Sequence, residues 1–251
     1  MALTSFLKLL FVSYVVGGLG ALSSRQDVFR VKFDLENLEN GGNGNFTIEV
    51  HPEWAPIGAE RFAELIEQRF FDDTRFYRAV TGFVAEFGIS GDPAVTAAWA
   101  GKTLPDDEEP EVGNHRGTLS FVTDGKADRL TRISVNIKDN DYLDNRGYVP
   151  FAEVVEGMFT IDRLFNRYGG SVKLPTKPDA RIAEAQGNAY LDAEFPKLTR
   201  IRSANIVAMP APPAPETSTS SSALMLVVLG VFAVTGFLGR GWLLNSGSFA
   251  K

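Results

Sequence analysis

The chain has no cysteine, two histidines and no run of lysine or arginine among its 251 residues. Without thiols there is no disulfide, no zinc ribbon and no cysteine nucleophile, and the redox compartment stays open. A net charge of −6 with no basic tail excludes a nucleic-acid partner. His51 and His115 lie far apart beside turn-forming residues and read as surface histidines, so no metal or cofactor is implied. Asp106-Asp107-Glu108-Glu109 lacks the alternating ligands and central glycine of a calcium loop and reads as a solvated loop. Gly88-x-x-Gly91 is followed by neither a lysine nor a helix-start pattern, so it is not a phosphate loop.

What the chain does have is two greasy ends. Residues 9–22 form an apolar run of about 14, suited to a signal-peptide core rather than a spanning helix. Residues 223–244 make a run of about 22 with a single charge, Arg240, long enough to cross a bilayer if that arginine snorkels. The layout read from these features is a leader over 1–22, a folded body over 27–208, a Pro/Ser/Thr linker over 209–222, a membrane helix over 223–244 and a short tail over 245–251. That places the body in the lumen of the secretory system or outside the cell, and the Asn45-Phe46-Thr47 sequon fits this.

Within the body, Phe29, Val31, Phe33 and Leu35 alternate with polar residues, and Phe46, Ile48 and Val50 resume the alternation after a glycine-rich turn. These segments predict a hairpin. Ala59, Phe62, Ala63, Ile66 and Phe70 follow helical spacing after Pro56, with early acids suited to a helix start. Further strands are expected over 75–80, 117–122, 133–137 and 150–155. Met158, Ile161, Leu164, Phe165 and Tyr168 make a second helical stripe closed by Gly169-Gly170. The pattern is mainly β, a closed antiparallel barrel with helices at its ends.

The most informative segment is Phe76-Tyr77-Arg78-Ala79-Val80-Thr81-Gly82-Phe83, continuing to Phe87-Gly88-Ile89-Ser90-Gly91-Asp92-Pro93. It sets an arginine, a donor that never loses its charge, on an apolar strand. The segment resembles the active-site strand of cyclophilin-type peptidyl-prolyl cis-trans isomerases. Gly117-Thr118-Leu119-Ser120-Phe121, Asn136-x-Lys138-Asp139-Asn140, Tyr142-Leu143-Asp144 and Val149-Pro150-Phe151-Ala152-Glu153-Val154-Val155-Glu156-Gly157-Met158 resemble further blocks of that family, in order. The ordered blocks cover about Val28 to Tyr168, and residues 187–190 and 194–198 resemble a C-terminal extension of one subset. The resemblance implies a closed eight-stranded barrel capped by two helices, followed here by the membrane helix, and a monomer acting on proline-containing clients.

It also implies the chemistry. Rotation about X–Pro faces a barrier of about 18–20 kcal/mol because nitrogen shares its lone pair with the carbonyl. A donor aimed at that nitrogen withdraws the lone pair, so positioning and electrostatics suffice without cofactor or nucleophile. By position, Arg78 is the donor; Phe83, Val84, Val122 and Leu143 help form the proline pocket, and Tyr142 lies at its rim. Four positions depart from the family. Glu86 and Arg132 stand where glutamines are usual, Ser134 replaces a pocket phenylalanine, and Tyr148 takes the usual histidine position. Glu86 is therefore expected to bond Arg132, Arg78 or both. The functional reading is an X–Pro isomerase; the alternative is a catalytically weak, membrane-tethered module that grips proline segments.

Overall fold

The computed structural model describes residues 27–108, 112–168 and 177–209. The leader, nearly all of the linker, the membrane helix, the tail and Gly169-Gly170 lie outside the described residues. Contacts divide the chain between Pro210 and Ala211, and every described residue belongs to the first part. Among the described residues no helix is long and apolar enough to cross a membrane.

The alternating segments become β1 (Phe29–Glu36) and β2 (Gly44–Val50), an antiparallel pair in the register Phe33↔Phe46. Those two rings stack at 4.7 Å, the middle of a phenylalanine cluster that also takes in Phe62, Phe71 and Phe87. Helix α1 (Pro56–Glu67) starts at its proline and buries Ala59, Phe62, Ala63, Leu65 and Ile66. No acid lies in its first turn, and the helix ends before Phe70 because Arg69 takes a positive φ of 55°. The start is capped from a distance. Asp107 accepts the backbone N–H groups of Ile57 and Gly58 at 2.8 and 2.9 Å, and pairs with the buried Arg129 at 2.8 Å. The loop at 106–108 is therefore not simply solvated, since Asp107 is a buried cap.

The chain continues through β3 (Arg78–Ala79), β4 (Val84–Phe87), α2 (Pro93–Trp99), β5 (Thr118–Phe121), β6 (Ile133–Asn136), a 3-10 helix (Asp141–Arg146) and β7 (Pro150–Glu156). It closes with α3 (Met158–Ile161), α4 (Ala180–Gln186), α5 (Asn188–Glu194) and β8 (Arg200–Val207). The eight strands form one antiparallel sheet in the order β3-β4-β6-β5-β7-β2-β1-β8.

Two expectations are corrected here. The sheet is an open half-barrel, not a closed barrel: among the described residues its edge strands β3 and β8 are not paired, and only the segment ahead of β3 reaches β8, through the bridge Arg75↔Arg200. Backbone bonds from Phe76 N–H to Thr199 and from Ile201 N–H to Thr74 flank that bridge. Tyr77 then turns its ring into a second apolar cluster, and the ladder goes no further. The second helical stripe shrinks to the single turn of α3, and the role of second cap does not fall on a long helix there. Instead α4 and α5 build a small core of Ala183, Leu191, Phe195 and Leu198 around Tyr77 and Ile89. This extension sits directly beside the arginine strand.

Candidate active site

The strand register assembles the site. Arg78 on β3 pairs with Glu86 on β4, Glu86 with Ser134 on β6, and Ser134 with Ser120 on β5. Their neighbours Ala85, Phe87, Ile133, Val135, Leu119 and Phe121 belong to the main core, so this row faces the other side of the sheet. Gly88 makes the exit from β4 possible: its φ is 101°, and a Cβ there would collide with the Thr131 carbonyl.

Arg78 is the pivot. Nη1 donates to Glu86 Oε1, and the guanidinium carbon lies 5.4 Å from the centre of the Phe83 ring. Nε and Nη2 make no hydrogen bond among the described residues, and the side chain is 30% exposed, so donors remain for a visitor. Glu86 is 9% exposed at its side chain, and its Oε2 accepts the Tyr77 hydroxyl at 3.1 Å. Burial, reinforced by the Glu86 charge, holds the Tyr77 hydroxyl well above the usual tyrosine range, so it stays a donor. Of the two expected partners Glu86 takes Arg78. Arg132 turns instead to Asp124 at 3.3 Å and Glu184 at 4.0 Å.

Arg78, Glu86, Val122, Arg132 and Tyr148 line one cavity of about 400 Å³, together with Tyr77 and Asp124. Phe83 and Tyr142 do not line it; Phe83 lies under the Arg78 guanidinium and stacks with the half-exposed Tyr142 at 5.9 Å. Val84, Ser134 and Leu143 are buried and do not line that cavity. The Tyr148 hydroxyl donates to the Thr123 carbonyl at 3.1 Å, and burial followed by the Glu86 and Asp124 charges raises its pKa.

A model of the family described as cyclophilin type peptidyl-prolyl cis-trans isomerase/CLD matches residues 34–187. The chain belongs to this family. Peptidyl-prolyl cis-trans isomerisation is its activity class. A peptidyl-prolyl cis-trans isomerase of Acinetobacter baylyi is 27% identical over 181 residues, covering 66% of this chain and 90% of that protein. Peptidyl-prolyl cis-trans isomerase B of Escherichia coli is 26% identical over 130 residues, covering 49% and 79%. Among solved structures, a Cryptosporidium parvum cyclophilin superposes with a TM-score of 0.53 at 20% identity, covering 73% of this chain and all of that one. At that identity the likeness bears on the fold.

Two parts of this cyclophilin site escaped sequence reasoning. One is the buried amide network behind Phe83. Asn140 donates to the Phe83 carbonyl and to Asn136, Asn136 donates to Asn114 and Thr118, and Asn114 donates to Asp144 and the Tyr148 carbonyl. Asn136 and Asn140 stand in a motif that the sequence displays, and their burial was the missing datum. The other is the wall at residues 177–181, where Pro178 is buried and Asp179 caps α4 through the Arg181 and Ile182 N–H groups. The Pro-Asp pair ahead of a helical run signals that start.

Proposed function

We propose that this cyclophilin accelerates X–Pro rotation with Arg78 as the donor to the imide nitrogen, Phe83 and Tyr142 forming the aromatic edge beside it. The observation that carries the reading is the guanidinium itself. It is tethered at Nη1, without a hydrogen bond at Nε and Nη2 among the described residues, and set beside an aromatic face where it lines a cavity. A fixed donor needs no reorganisation as the nitrogen pyramidalises, which is where such catalysis gains most. Val122 supplies the apolar wall of the pocket, and Glu86, Arg132 and Tyr148 tune it. The buried Val84, Leu143 and Ser134 lie outside the cavity and act only through the residues that line it. Support for a proline ligand comes from a second Cryptosporidium parvum cyclophilin structure, TM-score 0.51 at 19% identity, obtained in the presence of the dipeptide Ala-Pro.

A second reading rests on Glu86. A carboxylate on Arg78 weakens its pull on a substrate nitrogen, which would leave a module that grips proline segments with little turnover. Exchange NMR on an X–Pro peptide with the full chain in detergent micelles separates the two. Accelerated cis–trans exchange supports the isomerase; peptide shift changes without acceleration support the module; neither effect from a folded chain overturns both.

The monomeric, membrane-tethered placement belongs to the same proposal, with residues 223–244 as the anchor and the body lumenal or extracellular. Asn45 of the sequon is exposed on β2. Expression in a secretory system should give a glycosidase-sensitive chain that resists alkaline extraction from membranes; release of an unglycosylated chain by alkali overturns the placement.

A further inference from the structure

The outer face of β1, β2 and β7 carries a cluster that isomerisation does not use. Arg30, Glu49 and Glu153 lie in one register row across the three strands, and His51 follows two residues after Glu49. Two glutamates directly opposite on antiparallel strands repel, so this row calls for a cation. Arg30 provides part of it. Its Nε donates to Glu49 Oε2 at 2.8 Å, and its Nη1 lies 3.7 Å from Glu156. That leaves Glu49 Oε1 and Glu153 Oε1 facing His51 Nε2 at 3.4 and 3.9 Å.

His51 is not the surface residue the sequence suggested; its side chain is 12% exposed. Trp54 stacks on the imidazole at 3.9 Å with a 7° interplanar angle, and the His51 backbone N–H donates to the Phe151 carbonyl. Nδ1 lies 2.8 Å from Glu53 Oε1, an acceptor, so Nδ1 carries a proton. The ring therefore turns its Nε2 edge to two carboxylates. Nε2 is shut off from solvent and makes no hydrogen bond.

Two cations could resolve this, a proton on Nε2 or a metal ion. A charge-assisted N–H···O⁻ bond draws its atoms to about 2.7–2.9 Å, closer than either spacing here. Ligands held about 2.0–2.1 Å from a tetrahedral Zn²⁺ stand about 3.3–3.4 Å apart. The 3.4 Å His51–Glu49 spacing matches this, and at 3.9 Å the half-exposed Glu153 has to swing inward to join them. All three ligand atoms lie within 4.8 Å of one another. We propose that Glu49, His51 and Glu153 form a Zn²⁺ site, with Glu53 fixing the ring through Nδ1 and Arg30 fixing Glu49. A carboxylate–histidine–metal relay of this kind raises ligand basicity and locks the tautomer. Glu153 is 46% exposed, so the ion enters from its side.

Calorimetric titration of ZnCl₂ into the metal-free full chain in detergent micelles tests this. The expected result is one saturable site and a raised melting temperature. Glu53→Ala should weaken binding about 10–100-fold, His51→Gln by more than that, and His115→Gln should leave it unchanged. Glu153→Gln changes an accessible side chain and carries the same expectation of weakened binding should His51→Gln fail to fold. Absence of saturable binding at millimolar zinc, or full binding in a folded His51→Gln or Glu153→Gln chain, overturns the assignment.

Discussion

At the scale of single residues, Glu86 sets how strong a donor Arg78 can be. A hydrogen bond to a charged partner exceeds a neutral one by about 1 kcal/mol, so Glu86→Gln should raise kcat/KM about 5-fold in peptide exchange. An unchanged or lowered value in a folded variant would show that the carboxylate aids the reaction. Tyr77 gives a pH prediction. Its folded pKa is raised, by burial first and by Glu86 next, so the unfolded chain ionises first as pH climbs. Its contribution to stability is then fully present below about pH 10 and declines above it. Denaturant titrations from pH 9 upward should show that decline, and Tyr77→Phe should flatten it. Asp107 holds a fully buried arginine as well as the start of α1, so Asp107→Ala should cost about 3–5 kcal/mol in urea unfolding. The sequence displayed Arg78, Phe83 and Tyr142 because their order is distinctive. Which of the two arginines Glu86 takes is set by the strand register, and the burial of Asp107 depends on Ile57, Gly58 and Arg129, remote in the chain, so no local pattern carries it.

Elements were legible where apolar and polar residues keep a period in the sequence. The β1–β2 hairpin and α1 have clear periods because half of each faces water. Strands β4, β5 and β6 are each buried at all four residues; β5 and β6 still alternate polar with apolar residues in sequence, whereas Val84-Ala85-Glu86-Phe87 does not, and it escaped notice. Strand β8 was obscured differently, since its pairing with β1 shifts register between Asp34 and Leu35. The apolar stripe after Met158 misled because Leu164 packs into the core from a turn and not from a continued helix. The α4–α5 extension has a definite job, holding Tyr77 from the side opposite the main core. Leu191 is buried in that small cluster, and Leu191→Ala should cost about 2–5 kcal/mol. If the extension serves only as ballast, the variant will unfold early and yet keep full turnover when folded. A role in positioning Tyr77, and through it Glu86, predicts a lowered kcat as well.

For the whole molecule, order along the chain told more than any local pattern. Ordered blocks from Val28 to Tyr168 pointed to the family, but both they and the strand pattern implied a closed barrel, which the edges β3 and β8, not paired with each other among the described residues, correct. The row Arg78–Glu86–Ser134–Ser120 joins the β3–β4 hairpin to β6 and β5, which lie far along the chain, so only the fold brings it together. On this account catalysis rests on one guanidinium, held from behind by Glu86. The most direct test is cis–trans exchange of an X–Pro peptide, comparing the full chain with Arg78→Ala and using amide spectra to verify that both are folded. The account requires acceleration by the parent chain and a loss of about 100–1000-fold in the variant, the range for removing one preorganised donor. Equal acceleration by both chains would contradict it.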